Sequence, residues 1–213
     1  MEYNKFCDEI DNYLIELEIK LNEKQKEQFF KYMNMLIEWN EKINLTAIVE
    51  PKEIVLKHFV DSLTIGQYIK ENSYVVDVGT GAGFPGIVLK IFFPHLNIVL
   101  IDAREKKINF LKEVIKELGL KDIEALHIRA EEYHEKFDIV TARAVANIEK
   151  LLNYTMHLLN KNGKLVAMKG DIDQELPEEV EERINKKYKI TKINKFVLPK
   201  ENSKRALVII ENK

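Results

Sequence analysis

Asp77-Val78-Gly79-Thr80-Gly81-Ala82-Gly83-Phe84-Pro85-Gly86 is the stretch that decides the fold. It continues Tyr74-Val75-Val76, a short apolar run of the kind that forms a buried strand. Glycines directly after such a strand let the chain turn sharply and let its backbone approach a ligand. Helical spacing resumes over 85–93. Strand, glycine turn and helix in that order open a doubly wound α/β sheet.

The same alternation continues downstream. Strands are predicted over 96–101, 123–128, 137–142 and 163–168, and helices over 104–118 and 147–159. Short apolar strands separated by helices imply a parallel sheet covered on both faces, with right-handed crossovers. An acidic helix is predicted over 173–185, then strands over 188–198 and 204–211. The link between those last two strands holds Pro199 and Asn202 and is too short for a helix, so they should pair antiparallel.

Upstream, residues 1–70 read as a helical extension to a Rossmann-like domain over 71–213. Ile10, Tyr13, Leu14, Leu17 and Leu21 keep helical spacing, and Asn22 with Gln25 forms a capping-box pattern. Phe29, Met33, Leu36 and Ile37 share one face of a second helix, and Pro51 suits the first turn of a third.

At 213 residues with a net charge of -2, the chain can bury one sizeable core and carries no blanket of positive charge. No apolar run approaches the ~18 residues of a membrane span, and the N-terminus lacks a signal-peptide pattern. Cys7 is the only cysteine, which fits a reducing, cytoplasmic setting, and no Cys/His cluster has metal-ligand spacing. Charge is uneven, however. Seven acids lie within 171–185, against Arg183 alone. Nine bases lie within 186–213, against Glu201 and Glu211. That basic segment, and a basic helix opening at Lys106-Lys107, could face phosphates. The plainer reading of the tail is a strand edge protected by lysines.

Two cofactors compete for the glycine turn. Gly81, Gly83 and Gly86 match the dinucleotide fingerprint, which seats a pyrophosphate on N–H groups at a helix start. Pro85 removes one such donor and Phe84 crowds the site. S-adenosylmethionine has no phosphate and loses nothing. Asp77 leading into Gly79, Gly81 and Gly83 also has the form typical of methyltransferases. Asp102 ends the second strand, where an acid can accept from both ribose hydroxyls. The position of Ala130-Glu131, after the third strand, lies beside the adenine in this fold, although Glu131 could equally be a surface acid.

The chemistry is constrained at the end of the fourth strand. Methylation of a base carbon usually needs a cysteine nucleophile, and Cys7 lies in the N-terminal helix. Thr141-Ala142-Arg143-Ala144 offers nothing that accepts from an exocyclic amine. A ring nitrogen such as guanine N7 has a free lone pair and no proton to lose, so proximity and alignment suffice. Arg143 then positions rather than abstracts, and its replacement by alanine is expected to leave the fold intact. Lys169-Gly170 should also face the ligand edge.

These residues resemble the glucose-inhibited division protein B family, the RsmG-type 16S ribosomal RNA methyltransferases. Trp39-Asn40 with Asn44-Leu45-Thr46, His58 with Asp61-Ser62, the stretch 77–86, Arg143-Ala144, Lys169-Gly170 and Lys204-Arg205 follow in the family's order. The resemblance implies a class I methyltransferase sheet of seven mostly parallel strands. It implies N7 methylation of one guanine in the decoding-region loop of small-subunit RNA. It also implies that Gly79, Phe84, Ala130, Glu131 and Arg143 line the cofactor site. Lys106, Lys107, Lys169, Lys204 and Arg205 are the candidate RNA contacts. His58 and Asp61 could orient RNA or pack a helix. A small-molecule methyltransferase and a non-catalytic ribosome-assembly factor that keeps the fold remain as rivals.

Overall fold

The computed structural model describes residues 1–213. Five strands, β1 (Tyr74–Val78), β2 (Asn97–Asp102), β3 (Ile123–His127), β4 (Phe137–Arg143) and β5 (Leu159–Lys169), run parallel. β6 (Tyr188–Val197) and β7 (Lys204–Asn212) form the antiparallel hairpin, with β7 against β5, giving the order β3-β2-β1-β4-β5-β7-β6. Strand order reverses between β1 and β4. Open α/β sheets bind ligands at such a point, beyond the carboxyl ends of the strands. The glycine turn leaves β1 there and Arg143 ends β4 there.

Strand periodicity divides the core. Val75, Ile98, Ile139, Val166 and Ile209 face a cluster of 39 buried residues, while Val76, Val99, Val140, Leu165 and Val208 face one of 22. The larger side is the one that receives the N-terminal helices α1 (Tyr3–Leu14) and α2 (Glu23–Ile43), together with α5 (Gly86–Phe92) and α6 (Glu105–Glu117). Phe6, Phe29, Tyr32 and Phe59 are fully buried in the same cluster as the sheet residues. α7 (Ile148–Thr155) and α8 (Glu178–Lys187) cover the other side.

Local rules hold at several element ends. Asn22 and Gln25 close the capping box on α2, and Pro51 opens α3 (Pro51–Ile54). α3 runs through a π-helical stretch, Val55–Val60, into α4 (Asp61–Leu63). Three boundaries differ from expectation. α1 stops at Leu14 because the chain turns through a left-handed Glu18, and Leu21 reaches the core from the loop instead. β5 begins at Leu159, since Leu159 pairs with Phe137 before a bulge restores pairing at Lys164 with Ile139. α8 starts only after Pro177, which sits at its N-cap.

Candidate active site

The glycines of the turn divide into two pairs with different work. A Cβ on Gly86 would lie 2.2 Å from Leu100 Cδ2, and one on Gly83 would lie 2.6 Å from both Ile87 Cγ1 and the Tyr32 hydroxyl. These two let α5 and α2 pack closely. Gly79 and Gly81 both have φ of +63° and are partly open; a Cβ on Gly81 would meet Lys107 Nζ only at 3.5 Å. Both line the cavity, Gly79 beneath the Val145 side chain, whose Cγ2 would lie 2.8 Å from a Cβ there.

The turn is braced from behind. Asp77 Oδ2 accepts from Thr80 Oγ1 at 2.6 Å and from Gly86 N at 2.9 Å, joining both ends of the turn. Asp77 is wholly buried and lies behind the turn; burial pushes its carboxyl up to about 7 against those two hydrogen bonds. Tyr32, on α2, donates to the Ala82 carbonyl. Asp102 Oδ2 accepts from Gly81 N at 3.0 Å, and its Oδ1 from Arg104 N at 2.9 Å. Each carboxylate oxygen keeps a second lone pair.

In front of the turn lies a cavity of about 720 Å³. Gly79 to Ala82 and Phe84 form one wall. The loop Ala144 to Asn147 and the end of β5 form another, and Thr46, Ile48, His58 and Asp61 close it from the N-terminal segment. Ala144 has φ of +54°, a conformation rarely held by a residue other than glycine, and the Val145 side chain sits against Gly79. Lys57, Lys107, Arg143, Lys169 and Arg205 line the cavity, against the acids Asp61 and Glu175. Cations therefore outnumber acids in the lining, although Arg143, Lys169 and Arg205 are paired with those same acids.

Arg143 is the hub. Its NH1 donates to the Lys57 carbonyl at 2.8 Å and to Asp61 Oδ2 at 3.2 Å, and its NH2 donates to His58 Nδ1 at 3.0 Å. The guanidinium lies 4.9 Å from the Phe84 ring centre, and the His58 ring stacks on Phe84 at 4.3 Å. Arg205, on β7, donates from Nε to Asp61 Oδ1 at 3.1 Å. One buried carboxylate thus ties α4 to β4 and β7. Burial raises the Asp61 carboxyl above its ordinary value, and the two guanidiniums pull it back. Burial first, then the Arg143 charge, push the His58 imidazole down to about 3, so it is neutral at physiological pH.

Not every expected residue converges on the cavity. Gly79, Gly81, Phe84, Arg143, Lys107, Lys169 and Arg205 line it, whereas Asp77, Gly83, Asp102, Ala130, Glu131, Lys106 and Lys204 do not. Ala130 is buried and its carbonyl accepts from His157 Nε2, while Glu131 and Lys106 are exposed. Lys169 faces inward rather than toward solvent: it is buried, pairs with Glu175 at 2.6 Å and donates to the Ala146 carbonyl, pinning the loop after β4. Lys204 is held by Asp171 at 2.7 Å. Tyr32 escaped sequence reasoning because it keeps the same spacing as the core residues of α2. The pairing of His58 and Asp61 with Arg143 escaped it because more than 80 residues separate them, as the 82 between Asp61 and Arg143 show.

This sheet order, with a glycine turn after β1 and an inserted antiparallel β7, is the fold of class I S-adenosylmethionine-dependent methyltransferases. Two solved structures that share it are a ribosomal protein L11 methylase from Lactobacillus delbrueckii subsp. bulgaricus and a SAM-dependent methyltransferase from Aquifex aeolicus. The first has a TM-score of 0.56 and 18% identity, over 72% of this chain and 77% of that one. The second has a TM-score of 0.56 and 19% identity, over 76% and 94%. Within that class, the chain belongs to the GidB family, rRNA small subunit methyltransferase G, whose family model matches residues 25–208. It is 46% identical to the ribosomal RNA small subunit methyltransferase G of Desulforamulus reducens, over 92% of this chain and 85% of that protein. It is 45% identical to the protein of the same name from Acetivibrio thermocellus, over 91% and 83%. No helix is long and apolar enough to cross a membrane, and no group of three or more His, Cys, Asp or Glu is placed to hold a metal ion.

Proposed function

We propose that the protein transfers the methyl group of S-adenosylmethionine to N7 of a guanine in the decoding-region loop of 16S ribosomal RNA, in the cytoplasm, where that RNA is. The partly exposed backbone of Gly79 and Gly81, with Asp102 and Lys107 beside Gly81, fits the cofactor. Asp102 would hold the ribose and Lys107 an anionic group. The cofactor supplies a methyl made electrophilic by its sulfonium. The excess of cations over acids in the cavity lining favours an RNA over an uncharged small molecule.

One observation carries the choice of atom. The three groups at the cavity that could serve as bases are all committed: His58 gives its Nδ1 lone pair to Arg143, Asp61 accepts from two arginines, and Glu175 is paired with the buried Lys169. Guanine N7 needs no base. Its lone pair forms the N–C bond as the methyl leaves sulfur, and no proton moves. What remains for the protein is alignment by Arg143 and the walls around it. The test is mass mapping of small-subunit RNA after incubation with labelled cofactor, both as naked RNA and as assembled subunit. The expected product is a single 7-methylguanine; methyl on an exocyclic amine or a carbon would overturn the assignment.

The cofactor wall can be tested separately. Asp102→Ala should weaken S-adenosylmethionine binding by roughly tenfold to a hundredfold, the value of a lost charge-assisted hydrogen bond. Part of that loss comes from releasing Gly81 N. Calorimetry measures it, and unchanged affinity in a folded variant would assign the ribose to another residue.

A further inference from the structure

Thr46 stands on the cavity wall with an unusual restriction. Arginine only donates, so the hydrogen bond from Arg143 to His58 Nδ1 requires that nitrogen to be bare. A neutral imidazole then carries its proton on Nε2 and donates it to Thr46 Oγ1 at 2.9 Å. The same oxygen accepts from Ile48 N at 3.1 Å. A hydroxyl oxygen has two lone pairs, and both are now occupied. The Thr46 backbone is fixed as well, since its N–H donates to Asn40 Oδ1 at 2.8 Å. The hydroxyl hydrogen meets no acceptor in the chain. A group that normally both donates and accepts has become a donor only, at a partly open position on the cavity.

We propose that the Thr46 hydroxyl reads O6 of the target guanine, with Arg143 and His58 fixing its polarity. This rests on the function proposed above. The glycine turn offers its backbone to the cofactor, which leaves the wall of Thr46, His58 and Arg143 for the acceptor base. On a purine, N7 and the substituent at C6 share one edge. Guanine presents an acceptor at O6, and adenine presents a donor at N6. A threonine free to rotate would tolerate either. Thr46 cannot accept a third hydrogen bond, so it matches guanine and opposes adenine, leaving two donors face to face.

The experiment compares single-turnover N7 methylation of small-subunit RNA bearing guanine or 2-aminopurine at the mapped position. 2-Aminopurine keeps N7 and lacks O6. Wild type should prefer guanine by roughly tenfold to a hundredfold, the cost of leaving a buried donor unpaired. Thr46→Val should slow the guanine RNA by a similar factor without slowing the 2-aminopurine RNA further, so the preference collapses. Thr46→Ser should retain it. S-adenosylmethionine affinity should be unchanged in both variants. Equal slowing on both RNAs would make Thr46 merely structural, and a loss confined to cofactor affinity would place it against the cofactor; either overturns the proposal. So does an undiminished preference in Thr46→Val. A wild type that leaves guanine N7 untouched fails at the prior step, the function itself.

Discussion

Arg143→Ala should lower the free energy of unfolding by about 3 kcal/mol or more, in addition to abolishing methyl transfer. From sequence alone, the same substitution is expected to leave the fold intact. The structure adds a cost in stability to that expectation, because the side chain is only 16% exposed and the Asp61 carboxylate it meets only 6%. Removing it strips a donor from the Lys57 carbonyl, from His58 Nδ1 and from Asp61 Oδ2 together. Breaking a buried ion pair from one side costs about 3–5 kcal/mol, since the remaining charge is left uncompensated. Arg205 still reaches Asp61, which argues for the lower end. Arg143→Lys keeps the charge but cannot fork to three acceptors, so it should recover little of either stability or rate. Urea unfolding and single-turnover rates on the same preparations measure both effects. An alanine variant within about 0.5 kcal/mol of wild type would refute the network's energetic role, and a fully active one would remove Arg143 from the reaction.

His58 should make the protein acid-sensitive in a defined window. Its ordinary value is 6.5 and its folded value about 3. Below pH 6.5 the unfolded chain therefore binds a proton that the folded chain refuses. The linked stability is fully present above 6.5 and is lost as pH falls toward 3. The slope approaches 1.4 kcal/mol per pH unit, or about 2 kcal/mol between pH 6.5 and 5. Asp77 works in the opposite sense. Its carboxyl is raised from 3.8 to about 7, so the folded chain binds the extra proton and stability declines as pH rises through that interval. In the wild type the two slopes oppose each other, and the profile between pH 5 and 6.5 should be flat. His58→Asn preserves an acceptor for Arg143 and removes the titration, so its stability should rise on acidification, relative to wild type, by the amount His58 contributed. Asp77→Asn should expose the opposite slope. Parallel profiles for wild type and His58→Asn would show that His58 is not held neutral by the fold.

Much of this organisation is short-range and therefore readable from the sequence. The strand-glycine-helix unit at 74–93, the capping box at Asn22, Pro51 at a helix start and the antiparallel pairing of the last two strands each depend on residues close together in the chain. Hydrophobic periodicity encodes which face of each element is buried, and side-chain chemistry near the glycine turn narrows the cofactor. The residues Thr46, His58, Asp61, Arg143 and Arg205 stand in the sequence as separate marks whose roles remain open.

The tertiary structure alone decided how those marks join. Asp61 meets Arg143 and Arg205 across 82 and 144 positions of chain, and no periodicity or propensity reports contacts of that range. The division of labour among the glycines is of the same kind, because Gly86 is required by the nearness of Leu100 and Gly83 by that of Tyr32. The inward turn of Lys169, which the sequence places at the ligand edge as a candidate RNA contact, follows from the positions of Glu175 and Ala146. Composition and spacing determined the type of sheet, the end of it that binds and the class of ligand. Packing determined which lone pairs are free at that end, because hydrogen-bond polarity depends on what each group touches once distant segments are brought together.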